Sequence, residues 1–369
     1  MKRVLLVAGE VSGDQLGAWY CNTKYGSNNS AVYLEAVGGD LLVQAGAVVF
    51  ERFERLNSIG FTEIVSKIPF YYRLMQRLLA RLQDGAFDEL VLIDYPGFNL
   101  RFARMVRKKM PSVRIIYAAP PQLWCWGAWR ITSLQKYCDS LVVLYPFEVA
   151  WYAARGVRAE YLGSPVVERV ALHHRAIAER QHYIAIAPGS RATELKQLVP
   201  TCVAIMNQLA HDFSELHFVV PCAASYTPEA MRGLFKDAGL MVGSDRIIVV
   251  ADPVETMSLL GQCSVAIAKP GTVTLELALL GIPTVMVFKT SWLNNVLARF
   301  LMTVPFRALP NLLLGKEIVP EFVQQRCIPA VVAERVAQLY VWFAAHDTRY
   351  NEAVANFDAV RNAMDGSRL

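Results

Sequence analysis

The chain predicts an α/β protein built from two doubly wound, Rossmann-like domains with parallel sheets. Three observations carry this expectation. Short runs rich in Val, Ile and Leu alternate with helix-length segments. The runs are continuously apolar, which is how parallel strands covered on both faces read. The pattern pauses in a polar stretch at 168–181 and then restarts, so two sheets are expected.

In the first half the candidate strands are 4–8, 32–37, 89–93, 113–118, 140–144 and 158–162. In the second half they are 183–187, 216–220, 247–250, 264–268 and 284–287. From 290 onward the reading is helical, and 330–364 holds one or two helices with no strand. The expected domains are 1–165 and 166–345, joined near Gly163–Arg180. The terminal helix, 346–369, is expected to cross back to the first domain.

Composition narrows the class. The chain has 369 residues, enough for two well-buried cores. Hydrophobic residues reach 54%, which excludes disorder, and charged residues fall to 19% against a norm of about 25%. The mean hydropathy of +0.28 is high for a soluble protein. No stretch reads as a membrane span, because 263–288 is broken by Lys269, Pro270, Glu276 and Pro283. The start, MKRVLLVAGE, is too short in apolar residues for a signal peptide. The seven cysteines are scattered and none forms a C-x-x-C pair. Reduced thiols in a cytoplasmic protein are expected, with no zinc site. The net charge of +5 suits phosphorylated substrates or an anionic membrane face, and is too mild to argue for nucleic acid.

Two loops stand out. HYIAIAPGSRATE at 182–194 and AKPGTVTLE at 268–276 each read as strand, Gly/Pro turn and helix start. Such turns aim backbone N–H groups and a helix dipole at one spot, which suits a phosphate. Gly189, Ser190, Arg191 and Glu194 lie in the first loop, and Gly271, Thr272 and Glu276 in the second. The Arg191 fork suits a diphosphate, and Glu276 is placed to take the hydroxyls of a ribose. Together the loops predict one nucleotide-diphosphate site.

The first turn, VAGEVSGDQLG, spaces Gly9, Gly13 and Gly17 by four, which is not the dinucleotide fingerprint. Glu10 and Asp14 put negative charge where a pyrophosphate would sit, so this turn suits an acceptor pocket. Ser12 or Asp14 is also a fitting helix cap. Asp94 ends the run ELVLID and would lie in a ligand crevice, or cap the next helix. PPQLWCWGAWR crowds three tryptophans together, to line an acyl or sugar pocket or to fill a seam. In 68–83, Arg73, Arg77 and Arg81 stack at helical spacing beside Leu74, Met75, Leu78, Leu79 and Leu82. That is the layout of an interfacial helix, or of a surface helix with snorkelling arginines.

LVAGEVSGDQLGA, IDYPGFN, PQLWCW, LYPFE, LGSPVVE, APGSRATE, PGTVTLELALLGIP and LPNLLLGKEIVPEFVQ follow one another between residue 4 and about 328. In order and spacing they resemble the lipid-A-disaccharide synthases, inverting glycosyltransferases of the GT-B fold. The resemblance implies transfer of a sugar from UDP-2,3-diacylglucosamine to the 6-hydroxyl of 2,3-diacylglucosamine 1-phosphate. It implies no metal cofactor, and work at the inner-membrane surface as a peripheral protein; a homodimer is compatible with it. Carried over by position, it implies acceptor contacts at Ser12, Gly13, Asp14 and Asn99 and a catalytic base at Asp94 or Glu10. It implies UDP contacts at Gly189, Ser190, Arg191, Glu194, Gly271, Thr272, Glu276 and Asn311. The chain departs from the family twice: Gly97 stands where many members have Asp, and Ser164 where many have His. The alternatives are another UDP-sugar enzyme, an epimerase or a soluble-acceptor transferase, and a non-catalytic nucleotide-sugar-binding protein, which Gly97 would favour.

Overall fold

The structure is a computed structural model describing residues 1–26, 31–53, 68–222, 225–291, 295, 302 and 304–365. The chain forms two compact units that divide at Pro165/Val166.

The first unit carries a seven-stranded sheet. Its strands are β1 Lys2–Ala8, β2 Val32–Gly38, β3 Val48–Arg52, β4 Glu89–Ile93, β5 Arg114–Ala118, β6 Ser140–Val143 and β7 Ala159–Tyr161. Their order is β3-β2-β1-β4-β5-β6-β7, and every pairing is parallel. Val4, Leu5, Leu6, Val7 and Ala8 are all buried, as a central strand covered on both faces requires.

The second unit carries six parallel strands: β8 Tyr183–Ala187, β9 His217–Pro221, β10 Ile247–Val250, β11 Val265–Ala268, β12 Thr284–Phe288 and β13 Glu321–Val323. The order is β10-β9-β8-β11-β12-β13. Proline opens many of the flanking helices, at Pro96, Pro146, Pro253 and Pro329, where its missing N–H costs nothing.

Both strand orders reverse at one point. The first sheet turns between β1 and β4, the second between β8 and β11. Parallel sheets hold ligands outside the carboxyl ends of the strands at such a reversal. The four loops that matter are therefore those after β1, β4, β8 and β11.

Two expectations need correcting. β3 was not anticipated, because VVFER is short and ends in charges that its neighbours neutralise. β13 interrupts the stretch expected to be wholly helical; three residues are too few to show a period. The last helix, Thr348–Met364, packs within the second unit. Tyr350, Phe357, Val360 and Met364 bury its apolar side. The Tyr350 hydroxyl donates to the Ser264 carbonyl at 2.5 Å, and Arg361 Nε to the Leu279 carbonyl at 3.0 Å. Among the described residues no helix is long and apolar enough to cross a membrane.

Candidate functional site

In the second unit the loops after β8 and β11 meet in a cleft of about 470 Å³. Gly189, Ser190, Arg191, Gly271, Thr272 and Glu276 line it, as does Lys269. Its size is that of a small-ligand site. The turn after β8 needs glycine twice over. Gly189 has φ +123°, and a Cβ there would meet Glu194 Oε2 at 2.6 Å and Lys269 Cδ at 2.9 Å. Gly271, at φ +148°, opens the helix Thr272–Leu279.

Glu194 braces this cleft and is not free to touch a ligand. Its Oε2 accepts the Ser190 and Arg191 N–H groups at 3.1 and 3.3 Å. Its Oε1 accepts Arg191 Nη1 at 2.9 Å and Lys269 Nζ at 2.8 Å. Burial alone would raise its carboxyl, but the bond to Lys269, that ammonium's charge, Arg191 and the Ser190 N–H together hold it down at about 2. One carboxylate thus ties the two loops together and aims two cations. The Arg191 side chain stays 76% exposed at the cleft mouth. Glu276 is buried and ion-paired with Arg169, so a ribose would be met by a carboxylate already oriented. Asn311 has no such freedom. It is fully buried, donates to the Val319 carbonyl at 2.7 Å and accepts the Ile318 and Val319 N–H groups at 2.8 Å each. Its amide is spent on the turn before β13, and it does not line the cleft.

In the first unit the loops after β1 and β4 place Glu10 beside Asp94. Ala8 and Ile93 are register partners, so the two loops leave the sheet as neighbours. The backbone at Asp94 and Tyr95 is left-handed, φ +47° and +46°, a cost borne where surroundings over-determine it. Here they do. The Asp94 carbonyl accepts Tyr117 Oη at 2.6 Å and Asn99 Nδ2 at 2.8 Å, and its N–H donates to the Ala118 carbonyl at 3.0 Å. The Tyr95 ring lies over Gly9, where a Cβ would approach within 2.5 Å. The Glu10 carboxylate stands near enough for its charge to act on the Asp94 side chain. Burial, then the Glu10 charge, push its carboxyl up to about 6. A carboxylate so poised takes a proton near neutral pH.

Of the expected acceptor contacts only Ser12 is exposed, and it donates to Glu10 Oε1 at 2.9 Å. Asp14 is buried and caps the neighbouring helix Asp40–Gln44. Its Oδ1 accepts the Gly39 and Leu42 N–H groups at 2.6 and 3.3 Å, and its Oδ2 that of Leu41 at 3.0 Å. Gly13 packs on Ala8, and Asn99 clamps the ends of β1 and β4 from within. Gly13, Asp14 and Asn99 are scaffold.

The comparisons with known proteins now bear on this geometry. A family model described as lipid-A-disaccharide synthetase matches residues 4–361. Lipid-A-disaccharide synthase 1 of Legionella pneumophila (strain Paris) is 33% identical over 341 residues, covering 88% of this chain and 84% of the relative. The chain belongs to the lipid-A-disaccharide synthase family. The lipid-A-disaccharide synthase of Acidobacterium capsulatum is 32% identical over 360 residues, covering 91% of this chain and 86% of that one. The fold is shared more widely. The UDP-GlcNAc 2-epimerase of Neisseria meningitidis, solved with UDP-GlcNAc, superposes with TM-score 0.60 at 10% identity, covering 99% of this chain and 96% of that one. The S. aureus MnaA–UDP co-structure does so with TM-score 0.59 at 11% identity, covering 98% and 95%. The architecture is GT-B and the chain is a glycosyltransferase.

Three features complete the picture of this family member. Lys269 and Arg169 escaped the sequence reading; Lys269 opens the KPG turn, and its position beside the loop was the available signal. Glu148, in the LYPFE motif, is buried, and burial pushes its carboxyl up to about 7 against three donors. These are Trp124 Nε1 at 2.7 Å and the Tyr145 and Leu144 N–H groups at 3.0 and 3.1 Å. It anchors the tryptophan-rich loop and leaves Trp126 and Trp129 43% and 64% exposed. Ser164 is buried.

The helix Ile68–Asp84 corrects the lipid-facing reading. Leu74, Met75, Leu78, Leu79 and Leu82 are all buried in the first unit's core. Arg77 pairs with the buried Glu51 at 2.6 Å, and Arg81 pairs with the buried Glu35. Strand carboxylates claim these arginines, which therefore do not wait for headgroups.

Proposed function

We propose that the second-unit cleft binds UDP-2,3-diacylglucosamine and the Glu10–Asp94 pair activates 2,3-diacylglucosamine 1-phosphate. Arg191 and Lys269 neutralise the diphosphate, helped by the N–H groups that open the helix Thr272–Leu279. Glu276 takes the ribose hydroxyls. Asp94, ionised, removes the proton of the acceptor 6-hydroxyl as that oxygen attacks the anomeric carbon. The bond from that carbon to the diphosphate oxygen breaks on the opposite face, so configuration inverts and UDP leaves with the charge. Glu10 tunes Asp94 by charge. The products are a β-1,6 disaccharide 1-phosphate and UDP.

The observation that carries this reading is the cleft after β8 and β11, where two helix-opening turns each bring a cation to one place. Both substrates carry acyl chains, so we place the protein at the inner-membrane surface. Charge supports that placement. The segment 1–165 holds 19 Lys and Arg against 14 Asp and Glu, while 166–369 holds 18 against 18. All of the chain's net charge therefore sits in residues 1–165, which also expose Trp126 and Trp129.

The deciding experiment mixes the protein with both monosaccharide substrates. The expected result is UDP and disaccharide 1-phosphate in equal amounts. UDP release without disaccharide, or no turnover, contradicts the reading.

A further inference from the structure

The second unit carries a cluster of cations that the transferase chemistry does not use. Arg180, 5% exposed, donates Nη1 to the Tyr350 hydroxyl at 2.8 Å, while its Nε and Nη2 are buried without a partner. Arg361 donates Nε to the Leu279 carbonyl and pairs Nη1 with Asp358, while its Nη2 is also buried and unpartnered. Buried guanidinium N–H groups without partners are rare and call for one.

The unpartnered atoms converge. They surround the point where a Cβ would stand on Gly281, which has φ +75°. Arg361 Nη2 lies 2.8 Å from that point, Arg180 Nη2 3.2 Å and His174 Nε2 3.6 Å. A Cβ there would stand within 2.8 Å of Arg361 Nη2, so glycine is what lets the two guanidinium groups approach this closely. Two guanidinium groups face one carboxylate, Asp358, so the cluster keeps a positive charge. His174 is exposed and gives the cradle an opening to solvent. It lies at the amino ends of β8 and β12, the opposite edge of the sheet from the nucleotide cleft.

We infer that Arg180, Arg361 and His174 form a binding site for a small inorganic oxyanion of the sulfate or phosphate type. The anion would accept from both Nη2 groups and from the imidazole. It would stitch the last helix, the segment entering β8 and the turn before β12 into one piece. The groups facing His174 agree. Burial, Arg361 and Arg180 hold its pKa below the usual value, and only Asp358 opposes them. An anion between these cations reverses the repulsion, so binding favours protonated His174 and strengthens as pH falls.

The test uses the full chain with saturating UDP, which keeps the probe out of the nucleotide cleft. Thermal unfolding is followed in sodium sulfate against sodium chloride of equal ionic strength. Sulfate at about five times its Kd should raise Tm by roughly 2–4 °C. The rise should be larger at pH 6 than at pH 8, sulfate's own charge being constant between them. Arg361→Gln should abolish it. His174→Gln, at an exposed position that leaves the fold intact, should keep a smaller rise and lose its pH dependence. No sulfate-specific rise in the wild-type chain would assign the cradle to water and overturn the proposal. An equal rise in both variants would place the anion elsewhere and overturn it too.

Discussion

The two crevices are built alike and charged oppositely. Each sits where its sheet reverses, with one loop from each flanking strand. In the second unit, carboxylates meet cations: Glu194 holds Arg191 and Lys269, and Glu276 holds Arg169. In the first unit, carboxylate meets carboxylate, and burial with Glu10 raises Asp94 to about 6. Attraction lowers a carboxyl and fixes geometry, which is what holding a diphosphate needs. Repulsion and burial raise one, which is what moving a proton needs. On the proposed roles, the same fold supplies a binding site and a reacting site through burial and the sign of the neighbouring charge.

Substitutions can break this division. The largest effect is expected at the reacting crevice. Asp94→Asn should lower kcat by at least about a hundredfold, and calorimetry should find UDP affinity unchanged. Arg191→Ala and Glu276→Ala should each weaken UDP binding roughly tenfold to a hundredfold, the loss of a bond to a charged group. Calorimetry reads that as well, and unchanged affinity in both would refute the cleft assignment. Replacing Arg77 and Arg81 together with Gln removes the ion pairs of Glu51 and Glu35. Both arginines are about half exposed, so the expected loss is only about 1–3 kcal/mol in urea unfolding, with vesicle binding unaffected. Gly97→Asp should change stability least, within about 0.5 kcal/mol. Nothing lies within 4 Å of a Cβ there, and an acidic residue suits a helix N-terminus.

Much of the fold was legible because buried parallel strands leave continuous apolar runs. Every expected strand exists, and the two missed ones, VVFER and EFV, are edge strands too short or too charged to leave such a run. The loops of the site were legible because Gly189 and Gly271 punctuate strand-to-helix turns. What each polar residue does there was less so. Asp14, Glu194, Asn99 and Asn311 sit in the right motifs but spend their atoms on backbone or on neighbouring cations. Local sequence shows that a carboxylate is near a turn, while only the tertiary partner shows whether it is free. The helix Ile68–Asp84 makes the same point. Its arginine stripe reads equally as lipid-facing or strand-facing until Glu35 and Glu51 are placed beneath it.

The central claim is that the Glu10–Asp94 pair takes the acceptor proton, and the pH dependence of kcat with both substrates tests it most directly. Asp94 works ionised, so kcat should fall as pH drops through about 6. In Glu10→Gln, burial remains but the like charge is gone, so the acid limb should move to lower pH. An acid limb at the same pH in both proteins would contradict the account.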